Sequence, residues 1–389
     1  MSGAGGFTRD VAVVGGCGHV GLPLAITLAS RGLRVAVIDV NAAAAAAVQA
    51  GRLPFAEPGA GSALRRAVSA GLLTAGTDPA AAASAEHVIV VTGGDSAAVI
   101  SAVAAARLRD GQLLVLRSTL APGSTARVEK LLAGAGLDVD VAYCPERVAQ
   151  GRAMTELAGL PQLVASRTER GLGRASRLLA VLGAALVPMT PEEAELAKLF
   201  ANTWRYLTFA AANEFYMTAT SLGLDYERIR RGLIAGYPRA AGLPAAGLAG
   251  GPCLPKDARL LAAAGGGGQL AAAALAVNEG LPGYLVGRLE QRFDLSELTV
   301  GILGVAFKGG CDDTRHSLAW RLRQLLARRA AAVLCTDPEV TGPGLVPLRR
   351  VLAEADVLVV GAPHRCYRGL VTAKPVADIW NVLGRGVPG

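Results

Sequence analysis

Residues 250–257 read GGPCLPKD, a tight Gly/Pro turn that gathers a thiol, a cation and a carboxylate. Lys256 follows Cys253 by three residues and Asp257 by four. The thiolate is the nucleophilic form of cysteine, and a neighbouring positive charge makes it accessible near neutral pH. The segment therefore points to covalent catalysis. A buried cysteine in an ordinary loop is the alternative that the octapeptide alone leaves open. Lys198 and Asn202 are spaced i, i+4, so on a helix they share a face. An ammonium and an amide side by side can stabilise an alkoxide or a tetrahedral oxyanion. A solvated Lys198 paired with Glu195 is the plainer reading, as is Asp257 serving as the N-cap of a following helix.

Composition narrows the chemistry. The chain has 389 residues, enough for two or three domains, and a net charge of +8. The arginines are scattered and aromatics make up only 4%, so the charge reads as a mild field for an anionic small molecule, not a nucleic-acid surface. Lysine occurs only at 130, 198, 256, 308 and 374. The remaining lysines are candidates for positions that need a compact ammonium, with chance retention as the alternative. Six cysteines without CxxC and four histidines without HExxH predict a reduced, cytoplasmic protein with no metal site. The opening MSGAGGFTRD is not a signal peptide, and no long apolar run predicts a membrane span.

The elements that must carry these residues read as two nucleotide-binding units around a helical centre. Residues 11–14 form an apolar strand that runs into GCGHVG at 16–21, a helix at 22–30 and a second strand at 34–38 ending in Asp39. Gly16 permits the tight turn, Gly18 the approach of a pyrophosphate, and Gly21 the packing of helix on strand. The phosphates belong at the helix N-terminus, flanked by His19 and Val20. Asp39 would accept from the adenosine ribose, which favours NAD over NADP. Strands at 87–91 and 112–116 alternate with Ala-rich helices, and Thr119 falls just past a strand end, where active-site residues of open sheets gather. A hydroxyl capping the local turn is its alternative. Residues 191–223 read as a long helix with a possible break, followed by helices from 226 and through 270–292. TVGILG, VLCTDP, ADVLVVGAP and PVADIW then form a second sheet. Asp337 echoes Asp39, but GVAFKGG replaces the glycine fingerprint with a lysine-bearing turn, so the two sheets bind different nucleotides or one is an unliganded duplicate.

Seven segments in order carry a resemblance to the UDP-glucose/GDP-mannose dehydrogenase family across nearly the whole chain. They are GCGHVGLPLA (16–25), RSTLAPGST (117–125), CPERVAQG (144–151), EEAELAKLFANTWR (192–205), NE (213–214), GGPCLPKD (250–257) and GVAFKGGCDDTR (304–315). The form CPERVAQG looks more like the branch acting on UDP-N-acetyl-hexosamines, notably UDP-N-acetylmannosamine. The resemblance implies an α/β fold with two Rossmann-like, doubly wound parallel-sheet domains joined by a central all-helical domain: NAD binding at 1–190, dimerisation and the cysteine loop at 191–292, UDP-sugar binding at 293–389. It implies oxidation of a primary alcohol to the uronate with NAD, through a thiohemiacetal and thioester on Cys253, in a homodimer that serves polysaccharide biosynthesis. It also implies roles for single residues. Lys198 and Asn202 stabilise the oxyanion, Asp257 works with Lys198 and water as acid and base, and Thr119 holds water near the thioester. Glu146 lies near the nicotinamide and substrate, Lys308 and Arg315 contact phosphate or sugar, and Arg239 reaches a neighbouring subunit's site. Two departures stand out. Gln150 replaces a glutamate of the glucose-type enzymes, so it cannot act as a base. TGGDSAAV replaces Thr-Pro and a longer loop after Val91, which weakens the expected grip on NAD. GGGG at 265–268 reads as a surface linker. The competing readings are a two-electron dehydrogenase of the 6-phosphogluconate type and a catalytically impaired nucleotide-sugar binding relative.

Overall fold

The computed structural model describes residues 6–93, 96–264 and 267–384, so Gly94 and Asp95 of the shortened loop and Gly265 and Gly266 of the glycine run lie outside the described residues. The chain divides into two compact units, Met1–Leu199 and Phe200–Gly389.

In the first unit the strands are β1 (Arg9–Val14), β2 (Val35–Ile38), β3 (Leu73–Gly76), β4 (Ala85–Val90), β5 (Leu113–Leu116), β6 (Asp140–Tyr143), β7 (Gln162–Ala165) and β8 (Leu186–Met189). They form one sheet in the order β3-β2-β1-β4-β5-β6-β7-β8. The pairings are parallel except β6 with β7, which meet antiparallel at Tyr143 and Ala165. The strand sequences explain the two-sided cover. VAVV and LLVL are apolar at every position, and side chains alternate faces along a strand. Val11, Val13, Val37 and Val115 join one core with Leu22, Leu24 and Ile26 of the Gly21–Ser30 helix. Ala12, Val14, Ile38 and Leu116 join a second core with Val99 and Val103 of the Ser96–Ala105 helix. Each such Val or Leu taken from water contributes about 1.5–3 kcal/mol, so the pattern commits the sheet to helices on both faces.

The helix Pro191–Ser221 is continuous, without the break the sequence allowed, and Glu192 and Glu193 complement its N-terminal dipole. The second unit adds helices Tyr226–Ile234, Leu254–Ala263 and Gln269–Glu290 and the strands β9 (Thr299–Leu303), β10 (Ala332–Thr336), β11 (Val357–Val360) and β12 (Val376–Ala377). Asp225 starts the Tyr226–Ile234 helix by accepting from the N–H groups of Glu227 and Arg228. The second sheet is wholly parallel, in the order β10-β9-β11-β12. Ala212 and Tyr216 of the long helix, Leu281 and Leu285 of Gln269–Glu290, and Val300 and Ile302 of β9 share one core. The helices after residue 200 and the second sheet thus fold as one body. Both sheets use the same device after their first turn. Asp39, past β2, accepts from Cys17 N–H at 2.9 Å, and Asp337, past β10, accepts from Val305 and Ala306 N–H at 2.7 and 3.0 Å.

Candidate active site

The glycine turn after β1 is shaped by contacts that a side chain would break. A Cβ on Gly16 would lie 2.7 Å from Val13 O, and one on Gly21 would lie 2.7 Å from Gly16 Cα. Gly18 differs. It is exposed, and a Cβ there would meet nothing nearer than Gly15 O at 3.9 Å. Protein packing does not require glycine at 18, whereas a ligand pressed onto the backbone would. Val20 opens the Gly21–Ser30 helix with no side-chain cap, leaving its N-terminus to an anion. Thr92 packs against Gly15, and its Oγ1 is buried without a hydrogen-bond partner among the described residues. Asp39 uses Oδ2 for Cys17 N–H and Oδ1 for Asn41 N–H at 3.0 Å, and each oxygen keeps a further lone pair. His19 lies against Phe55 with ring centroids 4.0 Å apart and the planes tilted by 42°, and its Nε2 lies 3.4 Å from Gln150 Nε2.

Thr119 is half-buried three residues past the end of β5. Its neighbour Arg117 is fully buried and forms an ion pair with Glu146, while Gln162 Oε1 accepts from the same guanidinium at 3.0 Å. Glu146 Oε1 also accepts from Arg147 N–H at 2.7 Å and Val148 N–H at 3.1 Å. Burial pushes the Glu146 carboxyl up, but the Arg117 charge, its hydrogen bond and the two N–H groups outweigh it and hold Glu146 below the usual range. A carboxylate so engaged is an anchor for the 144–148 loop and a poor proton acceptor. Glu195 is fully buried and binds Gly123 N–H, Thr125 N–H and Thr125 Oγ1 at 2.6, 2.7 and 2.7 Å. Those donors open the Ser124–Gly134 helix, so Glu195 is an anchor, and Lys198 is buried at 8% exposure, not solvated. Glu57, which sequence reading passed over, likewise binds Gly151 and Ala153 N–H at 2.9 and 2.8 Å and holds the start of the Ala153–Gly159 helix. Its only mark in the sequence is the flanking Pro58.

In the second unit the cysteine loop and the 304–316 segment come together. Gly251 N–H donates to His316 O at 3.1 Å, a Cβ on Gly250 would lie 2.6 Å from the same oxygen, and one on Gly251 would lie 2.6 Å from Phe307. Gly251 also has φ +97°, which glycine adopts without strain. Cys253 is exposed and is itself the N-cap of the Leu254–Ala263 helix. That placement corrects the N-cap alternative for Asp257, which lies inside the first turn, fully buried, and accepts from Asn202 Nδ2 at 2.6 Å. Asn202 stands one turn beyond Lys198 on the Pro191–Ser221 helix. Asn213, of the NE motif, pairs with both the N–H and the O of Gly247 at 2.8 and 3.0 Å and so steadies the strand of chain leading to the cysteine. Arg315 is exposed and forks onto buried Asp313, whose hydrogen bond is the largest cause holding the Arg315 pKa above the ordinary value. Lys308 lies 5.7 Å from the Phe307 ring centroid, and Arg239 is exposed over Tyr237.

The other cysteines are unsuited to attack. Burial pushes Cys17 to about 12 and Cys144 and Cys335 to about 11. Cys311 is buried, and both it and Cys366 are raised, chiefly by desolvation. Cys253 is the exposed thiol at an α-helix N-terminus. No cluster of three or more His, Cys, Asp or Glu side chains that could hold a metal occurs among the described residues.

Comparison with known proteins accounts for this arrangement. Residues 9–180 match the NAD binding domain of the UDP-glucose/GDP-mannose dehydrogenase family, 192–279 its central domain and 301–385 its UDP binding domain. UDP-N-acetyl-D-mannosamine dehydrogenase of Pyrococcus horikoshii is 30% identical over 95% of this chain and 98% of its own. NDP-N-acetyl-D-galactosaminuronic acid dehydrogenase of Ralstonia nicotianae is 31% identical over 94% and 93%. The solved structure of the UDP-D-ManNAc dehydrogenase from Pyrococcus horikoshii superposes with a TM-score of 0.89, covering 98% of this chain and 97% of that one at 28% identity. The chain belongs to the UDP-glucose/GDP-mannose dehydrogenase family. It is an NAD-dependent oxidoreductase of nucleotide sugars. The first unit suits the cofactor on its own geometry: the open face of Gly18 and the uncapped helix N-terminus are what a dinucleotide would fill.

Proposed function

We propose that this protein oxidises the primary alcohol of a UDP-N-acetylhexosamine, of the UDP-N-acetylmannosamine type, to the carboxylate in four electrons. The observation that carries the reading is Cys253: exposed, at a helix N-terminus, in a glycine turn packed against the lysine-bearing 304–316 segment. The names of the relatives and the CPERVAQG segment support an N-acetylated sugar over glucose. When bound, NAD supplies the hydride acceptor for each of two oxidations. Cys253 adds to the aldehyde left by the first oxidation as a thiohemiacetal, the second oxidation turns that adduct into a thioester, and water then releases the carboxylate and the free thiol. Trapping the aldehyde on sulfur prevents its escape.

Lys198 and Asn202 stabilise the alkoxide and the tetrahedral oxyanion, their donors fixed by burial and, for Asn202, by the bond to Asp257. Asp257 accepts the proton that passes through Lys198 and water. Thr119 orients the hydrolytic water, and Glu146 holds the loop beside the nicotinamide as an anion. Gly16, Gly18, His19, Val20, Gly21 and Asp39 hold NAD. Lys308 and Arg315 bind the diphosphate and sugar. Residues 1–190, 191–292 and 293–389 act as cofactor, central and UDP-sugar parts. Phe200, Trp204 and Phe215 are exposed at 52, 67 and 51% along the Pro191–Ser221 helix, an apolar stripe that a second copy would bury in a homodimer, with Arg239 reaching the neighbouring site. No helix of the described residues is long and apolar enough to cross a membrane, and we assign the enzyme to the cytoplasm.

Purified protein incubated with NAD and a panel of UDP- and GDP-sugars tests the reading. Two NADH per sugar consumed, with the uronate found by mass, is the expected result for UDP-N-acetylmannosamine or a close epimer. One NADH per sugar, or turnover confined to other substrates, would refute it.

A further inference from the structure

Asp39 and Asp337 follow the second strand of their respective nucleotide-binding units, yet they are used differently. Asp39 accepts one N–H on each oxygen. Asp337 Oδ2 accepts from Val305 and Ala306 N–H at 2.7 and 3.0 Å and meets His364 Nε2 at 3.1 Å. Its Oδ1 accepts from Glu339 and Val340 N–H at 2.9 and 3.1 Å. A carboxylate offers about four lone-pair sites, so this one has none left for a ribose hydroxyl. The second sheet therefore does not hold a nucleotide by the device assigned to the first. A histidine of the chain itself takes the place at that acid.

His364 is 1% exposed and lies just past β11. Its two ring nitrogens have different partners. Nε2 faces a carboxylate oxygen that only accepts, so Nε2 carries the proton. In the neutral ring Nδ1 is then an acceptor, and it takes Gly310 N–H at 3.3 Å. The imidazole thus links the acid past β10 to the turn that follows β9. Packing agrees with this link. A Cβ on Gly309 would lie 2.2 Å from Pro363 O, so the turn is pressed directly onto the chain leading into His364. Lys308 stands two residues before the accepted N–H, in the same turn.

We propose that His364 is a positioning residue for the nucleotide sugar: held by Asp337, its Nδ1 fixes Gly310 N–H and with it the turn that presents Lys308 to the diphosphate. This role rests on the reading of residues 304–315 as the diphosphate contact. Calorimetry with UDP and ligand-observed NMR with uridine, both on the full chain, separate the phosphate contact from the base. Lys308→Ala sets the reference and should weaken UDP by about tenfold, the scale of one lost hydrogen bond between charged groups, with uridine unchanged. His364→Gln keeps a donor near the Nε2 position and removes the acceptor for Gly310, so UDP should weaken by roughly fivefold, the scale of one neutral hydrogen bond, again with uridine unchanged. His364→Asn sets a carbonyl oxygen near the Nδ1 position and should recover most of that loss. Gly309→Ala pushes the turn off Pro363 from the other side and should weaken UDP in the same way, so it carries the test if His364→Gln does not fold. If Lys308→Ala binds UDP as the parent does, the diphosphate reading of this segment fails and the role of His364 with it. If Lys308→Ala weakens UDP while His364→Gln, or Gly309→Ala in its stead, binds it as tightly as the parent, the role of His364 alone fails. It fails too if uridine weakens in step with UDP, or if the Asn and Gln variants lose equally, since either marks a general loss of structure.

Discussion

Replacing Glu195 should unfasten the first unit without touching the reacting atoms. The carboxylate is fully buried, and three donors from Gly123 and Thr125 converge on it at 2.6 to 2.7 Å. Glu195→Ala would strand two N–H groups and one hydroxyl at the start of the Ser124–Gly134 helix. A hydrogen bond to a charged group is worth about 1.5–3 kcal/mol net, but the three share one carboxylate and do not add fully. Each neutral donor left buried without an acceptor costs about 1–3 kcal/mol, and for three that share one site and can relax together we take about 3–5 kcal/mol in all. For a unit of this size each kcal/mol moves Tm by about 2–4 °C, so the first unit's transition should fall by on the order of 10 °C. Glu195→Gln keeps the shape but turns one acceptor into a donor facing a donor, and should fall by roughly half as much. Differential scanning calorimetry of the purified variants is the assay. An Ala variant that melts within about 1 °C of the parent would show that Glu195 anchors nothing, as ordinary surface substitutions do.

Cys253→Ser should retain nucleotide-sugar binding and lose net conversion to the uronate, and because the side chain is exposed its Tm should stay within about 2 °C, on the scale of a surface substitution; full acid production would remove the thioester route. Asp39→Ala should raise the KM for NAD several-fold with little change for the sugar, since it removes both the ribose acceptor and the bond to Cys17 N–H; an unchanged KM would place the cofactor elsewhere. Burial pushes the Asp337 carboxyl up, but its bonds from His364, Ala306, Glu339 and Val305 prevail, so like Glu146 it titrates below its ordinary range. Carboxyls depressed in the fold lend stability that is complete above their unfolded values near ~4 and is lost as pH falls through the lower folded values. Denaturant midpoints should therefore be flat from neutral pH to about 5 and drop below about 4, and Glu146→Gln should flatten that acid limb; an unaltered limb would contradict the ion pair. The proposed homodimer should give way to monomer in sedimentation with Trp204→Glu, and sedimentation unchanged from the parent would clear the long helix of that role.

The local patterns were legible from the residues themselves. Strands that are apolar at every position announce a sheet covered on both faces, and a glycine turn between strand and helix announces its own backbone path, because both follow from neighbours in the chain. Cys253, with Lys256 and Asp257 in a Gly/Pro turn, could be singled out as a candidate nucleophile by type and spacing, with a buried cysteine left open, and the folded chain exposes the thiol. What no local pattern could supply was partnership at a distance. Glu195 read as a mate for Lys198 one helical turn away, yet its donors lie at Gly123 and Thr125. Glu146 read as a residue near the nicotinamide and substrate, yet Arg117 claims its carboxylate. The cap that stood as the alternative reading of Asp257 falls to Cys253, and Asp257 is buried against Asn202. Packing chooses among charged partners because an ion removed from water must be met wherever the fold places an opposite charge, and sequence spacing carries no record of that choice. The meeting of residues 250–251 with Phe307 and His316 is of the same kind: two glycines mark the contact, but only the folded chain shows what presses on them.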